Sequence, residues 1–213
     1  VTVKDKQVTI RDFGRGIPLG KVVDCVSKIN TGAKYDSKVF KKAVGLNGVG
    51  SKAVNALCSF FRVQSIRDGQ RKVAEFERGT LILEELLEES EQAAGTSVTF
   101  IPDEQLFGNY HYIPEYIEQL LWNYAFLNNG LTIVFNGQRF KAKNGLLDLL
   151  IRNINGNPLI YPVIHIREQD FECAITHSAK FFGEEYYAFV NGQFTPQGGT
   201  HLTAFREVVV KTI

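Results

Sequence analysis

Two glycine-rich turns, each opening into a stretch of helical periodicity, constrain this chain more than any other feature. The first is Asp12-Phe-Gly-Arg-Gly-Ile-Pro18. It closes an alternating strand predicted from Val3 to Ile10 and leads into a helix from about Leu19 to Asn30, with Val22, Val23, Val26 and Ile29 on one face. The second, Gly45-Leu-Asn-Gly-Val-Gly50, runs directly into a short helix, Ser51 to Cys58. Between them, Thr31 to Val44 is polar, Lys-rich and without apolar period, which predicts a loop able to move. Glycines let a backbone approach phosphate oxygens, and the following helix offers unpaired N–H groups and its positive end. Lys52 adds a point charge to the same place. A helix entry with no ligand reads the same way, so this turn alone decides nothing.

Asp12 is the more selective residue. A carboxylate at a strand end, beside two glycines that leave room for a flat ring, accepts from an exocyclic amino group and repels a ring carbonyl, which suits adenine. Asp before Gly is also a common turn cap, and that alternative stays open.

Charge is segregated along the chain. Residues 1–73 hold 15 Lys and Arg against 5 Asp and Glu, whereas residues 74–118 hold 1 Arg against 11 acids. The basic block contains both glycine turns and points to a polyanion or phosphate partner; a solvated surface with segregated charges is the plainer alternative. No apolar run approaches the roughly 20 residues of a membrane span, and no secretory layout is present. Cys25, Cys58 and Cys173 lack C-x-x-C spacing and fit free thiols in a reducing cytoplasm. His111, His165, His177 and His201 are too scattered for a structural zinc site. The chain opens on Val1 and contains no methionine, from which we expect an internal stretch of a longer protein.

Phe60 to Ile66, Lys72 to Arg78 and Leu81 to Leu87 read as a strand meander, with Arg67-Asp-Gly-Gln70 as its first turn. Ser97 to Ile101 adds a strand, and Ile113 to Leu127 a helix with Ile117, Leu120, Leu121 and Tyr124 inward. A hairpin is expected across Asn136-Gly137. Asn144-Gly145 is the expected domain boundary, dividing 1–144 from 145–213. After it come a helix, Leu146 to Ile154, and strands at Ile160–Ile166, Phe171–His177 and Tyr186–Asn191.

Four segments then carry a resemblance: Asp12 to Pro18, Gly45 to Leu57, Gly95-Thr-Ser-Val-Thr-Phe100 with Pro102-Asp103, and Gln197-Gly-Gly-Thr-His201 leading to Phe205-Arg206. In this order and spacing the chain resembles, over nearly its whole length, the ATPase region of type IIA DNA topoisomerase B subunits, those of bacterial gyrase and topoisomerase IV. Single motifs are shared with the wider gyrase, heat-shock chaperone, histidine-kinase and MutL group; the combination is specific to topoisomerases.

The resemblance implies an α+β fold, a two-layer α/β sandwich of that group, followed by the start of an α/β transducer domain containing a left-handed βαβ crossover. It makes Asp12 the adenine-reading carboxylate and gives Thr96 a hydroxyl in the same water-bridged network. Gly14 and Gly16 shape the base pocket, and Ile17 and Pro18 line its edge beside Arg15. Thr31 to Val44 corresponds to the lid over the nucleotide, with Lys34 as a phosphate candidate and Lys38, Lys41 and Lys42 weaker ones. Gly45, Leu46, Asn47, Gly48, Val49 and Gly50 form the phosphate loop with Lys52, and Gly45, Gly48 and Gly50 give amides. Asn47 stands where many gyrases carry a histidine, and with Lys52 it is more similar to the eukaryotic enzyme. The Gln197–His201 turn reads as structural or inter-domain.

The implied cofactors are ATP and Mg²⁺, with DNA, a topoisomerase A subunit and a second copy of the same subunit as partners, in the cytoplasm and away from membranes. The family's glutamate base and its magnesium-ligating asparagine are expected before Val1, and its γ-phosphate lysine after Ile213. We therefore assign no catalytic residue and no metal ligand, and expect a chain of this extent not to match its parent's turnover. Asp5, Asp24 and Asp36 are available carboxylates that nothing places on a water. Topoisomerase IV is favoured and gyrase is the alternative. A chaperone or mismatch-repair ATPase, or a binding-only module, is the reading from another class.

Overall fold

The computed structural model describes residues 1–29, 31, 48–180 and 182–212. The chain divides into two units, Val1–Glu118 with Val134–Arg139, and Gln119–Ile133 with Phe140–Ile213. Most of the expected lid and the start of the phosphate loop, including Lys34, Gly45, Leu46 and Asn47, lie outside the described residues.

The first unit opens on a hairpin, β1 (Thr2–Lys4) and β2 (Gln7–Arg11), where a single strand was expected. Asp5, at φ 53°, makes the turn, because a short polar side chain tolerates the left-handed region. A 3-10 turn (Leu19–Lys21) leads into α1 (Val22–Ser27), which stops short of the expected Asn30. Lys28 leaves the helix with extended backbone, and the Thr31 hydroxyl donates back to the Asp24 and Lys28 carbonyls at 2.9 and 2.6 Å. Then follow α2 (Gly50–Ala56), β3 (Cys58–Arg67), β4 (Gln70–Glu77), β5 (Thr80–Glu84), β6 (Glu88–Glu89), β7 (Gly95–Pro102) and the short α3 (Glu104–Phe107). The strands form one sheet in the order β1-β2-β7-β3-β4-β5, with β6 continuing alongside β4. The meander and its turn across Asp68-Gly69 are as the sequence predicts.

Period-two alternation then assigns the faces. Phe61, Val63 and Ser65 of β3 stand opposite Phe100, Val98 and Thr96 of β7, and opposite Phe76, Ala74 and Lys72 of β4. The apolar members of these rows join Val22 and Val26 of α1 in the core, with Ile17 packed against it. The other face is mixed: Ile66 and Val73 are buried there, while the Thr9 and Thr99 hydroxyls meet at 3.0 Å and Arg62 pairs with Glu75 at 3.5 Å. Helices on one face of an antiparallel sheet make the expected two-layer sandwich.

The charge segregation is partly offset by this topology. Lys6 pairs with Glu104, Arg71 with Glu85 and Glu88, and Lys72 with Glu84, so the acidic block neutralises part of the basic one across neighbouring elements.

α4 (Pro114–Leu127) and the hairpin of β8 (Ile133–Phe135) and β9 (Gln138–Phe140) run from one unit into the other. The buried face of α4 is Leu121, Ala125 and Phe126, while Leu120 and Tyr124, expected inward, are 54% and 45% exposed. The aromatic stack rotates the helix: Trp122 lies on Phe126 at 5.3 Å and edge-on to Phe140 at 5.1 Å. The second unit continues with α5 (Leu146–Ile154), as expected, and then β10 (Ile164–Arg167), β11 (Glu172–Ile175), β12 (Phe189–Val190), β13 (Gln193–Phe194) and α6 (Thr200–Thr212). Its β10–β11 and β12–β13 pairs are antiparallel, and the parallel strands of the crossover implied by the resemblance are not seen among the described residues. α6, for which the sequence pattern predicts no element, grows from the Gln197–His201 turn, where the Gly199 carbonyl accepts from the Leu202 and Thr203 amides at 3.1 Å. Among the described residues, no helix is long and apolar enough to cross a membrane.

Candidate functional site

The sheet register builds the first half of the site. β2 pairs with β7 up to Arg11 opposite Ser97, and one step further the Asp12 amide donates to the Thr96 carbonyl at 2.9 Å. The Asp12 side chain closes the same corner, with Oδ1 accepting from the Gly14 amide at 2.8 Å and the Thr96 amide at 3.2 Å. Both bonds fall on Oδ1, and among the described residues no hydrogen bond is made to the second carboxylate oxygen. The turn-cap and ligand-reading roles are thus compatible in one carboxylate, which is exposed.

The rest of the turn is fastened to β3. The buried Ser65 hydroxyl donates to the Ile17 carbonyl at 2.8 Å. Gly16 sits at φ +74°, and a Cβ there would stand 2.5 Å from the Ile66 carbonyl oxygen. Gly95 is tighter still: at φ +137°, a Cβ would fall 2.1 Å from the Asp12 carbonyl oxygen. Only glycine lets β7 come this close to the Asp12 turn. Arg15 and Pro18 lie on the turn, and Gly14 places its absent Cβ 3.0 Å from Asp12 Oδ1.

The second half is the entry to α2. Gly48 has φ +58° and Val49 is the N-cap residue, and among the described residues no side chain caps the helix. Among the described residues, nothing stands within 4 Å of a Cβ placed on Gly50. Lys52 is close enough to Cys25 for its charge to oppose the burial that raises that thiol's pKa. The two halves share one support, α1: the turn reaches it through Ile17 in the core, and α2 reaches it through Ser51 and Asn55, whose side chains donate to the Cys25 and Val26 carbonyls at 3.3 and 3.0 Å.

Among the described residues, no group of three or more His, Cys, Asp or Glu is placed to hold a metal ion. They do not fit a protein-held magnesium site. Asp24 is occupied by Lys28 and Lys21 at 2.8 and 3.3 Å, and their hydrogen bonds hold its carboxyl below the usual range. Asp5 belongs to the β1–β2 turn, and Asp36 lies outside the described residues.

Ser65, Gly95, Ser51 and Asn55 shape the site, and sequence reasoning does not assign them to it. Ser65 carries a signal: it breaks the inward series Phe61, Val63 with a polar residue at the next inward position. Gly95 is legible only as part of a motif, and its close approach becomes visible once the β2–β7 register is known.

No family model matches the chain. It is similar to the B subunit of DNA topoisomerase 4 from Borreliella burgdorferi, 48% identical over 206 residues, covering 97% of this chain and 34% of that protein. It is also similar to the B subunit of DNA gyrase from Mycoplasma pneumoniae, 30% identical over an alignment of 246 residues, covering 100% of this chain and 38% of that protein. Among solved structures, the 43K ATPase domain of Thermus thermophilus gyrase B in complex with an aminocoumarin is similar with a TM-score of 0.69 and 28% identity, covering 95% of this chain and 56% of that one. The chain spans 34% and 38% of the length of these two curated relatives.

Proposed function

Because the chain belongs to the family of type IIA DNA topoisomerase B subunits, we propose that it is the ATP-binding region of a topoisomerase IV B subunit. The 48% identity over 97% of the chain carries this reading. The 30% match to a gyrase B subunit supports gyrase less well. Residues 1–144 make the nucleotide-binding domain and 145–213 the start of the transducer domain. In the whole enzyme, located in the cytoplasm, ATP closes two such subunits over a DNA segment, working with an A subunit. Hydrolysis and product release then reset the gate.

At the base end, the free carboxylate oxygen of Asp12 accepts from the adenine amino group, while Oδ1 stays fixed by its two amides. A guanine carbonyl at the same position would set one acceptor against another and is rejected. The Thr96 hydroxyl joins this polar corner, and Gly14, Gly16, Ile17 and Pro18 wall the ring, with Arg15 beside them. At the other end, the triphosphate lies against the amides of Gly48, Val49 and Gly50, with Lys52 countering its charge. Lys34, Gly45, Leu46 and Asn47 complete the phosphate side in this reading. Magnesium would accompany the nucleotide and neutralise phosphate charge, and none of the described residues is assigned to hold it. An aminocoumarin held by the gyrase B domain similar to this chain supports a ligand pocket in this fold.

Calorimetry with ATP and GTP on the protein and on Asp12→Asn tests the reading. The substitution puts an amide where an acceptor is needed and weakens ATP binding by about 1–3 kcal/mol. Unchanged ATP affinity in Asp12→Asn removes Asp12 from the pocket.

A further inference from the structure

The hydrogen bonds between α1 and α2 do more than pack two helices. α1 has only six residues, so most of its carbonyls lack an intrahelical donor. The Asp24 carbonyl is served locally, by the Lys28 amide at 3.0 Å and the Thr31 hydroxyl at 2.9 Å. The next two, Cys25 and Val26, take their donors from α2: Ser51 Oγ at 3.3 Å and Asn55 Nδ2 at 3.0 Å. Ser51 and Asn55 are four apart, so they share one face of α2 and grip consecutive carbonyls. The two bonds are unequal. Ser51 is exposed, whereas Asn55 is 1% exposed, among the most buried polar residues described. α2 is short, packs against β3, β4 and β7 as well as α1, and takes its side-chain hydrogen bonds to α1 through this grip.

We propose that Asn55 is a positioning residue for phosphate binding: its carboxamide sets α2 against α1 and thereby aims the Gly48, Val49 and Gly50 amides at the triphosphate. This rests on the nucleotide reading above and extends it to a side chain that touches no ligand. The base corner shares α1 as a support but has fastenings of its own. Asp12 is held by the Gly14 and Thr96 amides, and its turn by Ser65 of β3. The two ends of the nucleotide are therefore separable by mutation.

The test is the ratio of dissociation constants for adenosine and for a non-hydrolysable ATP analogue, measured by calorimetry on the protein, Asn55→Ala, Asn55→Asp and Ser51→Ala. Asn55→Ala removes the donor to Val26. Asn55→Asp replaces it with an acceptor beside a carbonyl and adds an anion behind the phosphate amides. In both, adenosine affinity stays within about twofold while analogue affinity falls about tenfold or more, the larger loss being in Asn55→Asp. Ser51→Ala, at an exposed position that does not threaten folding, shifts the ratio in the same direction by about two- to threefold. Equal weakening of adenosine and analogue, or an unchanged ratio in all three variants, overturns the proposal and reduces Asn55 to a packing residue. Should the Asn55 variants fail to fold, an unchanged ratio in Ser51→Ala overturns it. A wild-type protein that binds the analogue no better than adenosine fails the phosphate reading itself, and the positioning role falls with it.

Discussion

The two units use the same ingredients with very different economy of burial. In the first, β3 runs for ten residues and is paired on both sides, and its inward side chains are sealed by α1. In the second, the strands run for two to four residues, and α6 buries no side chain. Its core is a small cluster of Phe126, Ala142 and Leu149, with Trp122, Leu146, Tyr187 and Phe189 packed on it. Long paired strands fix the position of a turn at their ends through register alone, which is how Asp12 acquires its place beside Thr96. Short hairpins cannot do this, so the second unit relies on aromatic stacking and on the Asp148 and Glu172 carboxylates, which accept the amides around the start of α5.

The largest effect that could break this contrast is at the centre of the first core. Phe61 is 1% exposed and edge-on to Phe76 at 6.1 Å. Phe61→Ala should destabilise the first unit by about 3–5 kcal/mol through lost burial and the cavity left behind. Trp122 is the only tryptophan and lies in the second unit, so urea unfolding followed by its fluorescence reports that unit, while circular dichroism reports the sheet. The dichroism midpoint should fall well below the fluorescence midpoint. A single shared midpoint in the variant would show that the units unfold as one and end the contrast.

Next in size is the register itself. Gly95→Ala places a methyl where the Asp12 carbonyl oxygen already is, in a backbone conformation that alanine avoids, at a cost of about 1–3 kcal/mol. Because β7 must move away from the turn, ATP affinity should fall together with stability. Gly69→Ala has a positive φ too, but nothing within 4 Å of the added carbon, so it should cost stability and leave ATP affinity intact. Equal affinities in the two variants would mean that the β2–β7 approach does not hold the base corner.

These positions also show what the sequence can reveal. The meander, its turn at Asp68-Gly69 and the helix at 146–154 are legible because each has a strong local signal: alternation, a glycine turn or a clean apolar face. Asp12 and Thr96 can be named from motifs, but their mutual geometry depends on strands far apart in sequence. Ser65 shows only as a polar break in an inward series, and Asn55 is hidden, for the same reason. Their partners, Ile17 and Val26, are main-chain carbonyls 48 and 29 residues away, and no side-chain pattern records a carbonyl. The buried face of α4 differs from the expected one because Trp122 makes its contacts through ring stacking, which a helical period does not encode.

The smallest predicted effect compares one capping carboxylate from each unit. Asp103 is buried, accepts from the Gln105 amide at 2.9 Å and pairs with the Arg78 guanidinium, and the Arg78 hydrogen bond holds its carboxyl below the usual range. Asp148 also ends below its usual value: burial pushes it up, but the Asn144 and Lys143 amides, at 2.9 and 2.8 Å, outweigh that. A depressed carboxylate contributes stability that is fully present above its unfolded pKa, about 3.9, and is lost as pH falls through the folded value. Both units should therefore keep their stability down to about pH 5 and lose it in more acid solution. The partners differ, and salt separates them. Added salt screens the Asp103–Arg78 attraction but does little to hydrogen bonds from main-chain amides. Asp103→Asn should flatten the acid limb seen by dichroism and remove its salt dependence, because the amide oxygen still caps α3 but carries no charge. Asp148→Asn should flatten the limb seen by Trp122 fluorescence with little change in salt response. If Asp103→Asn leaves the acid limb of the first unit as steep as before, the Arg78 pair contributes nothing there.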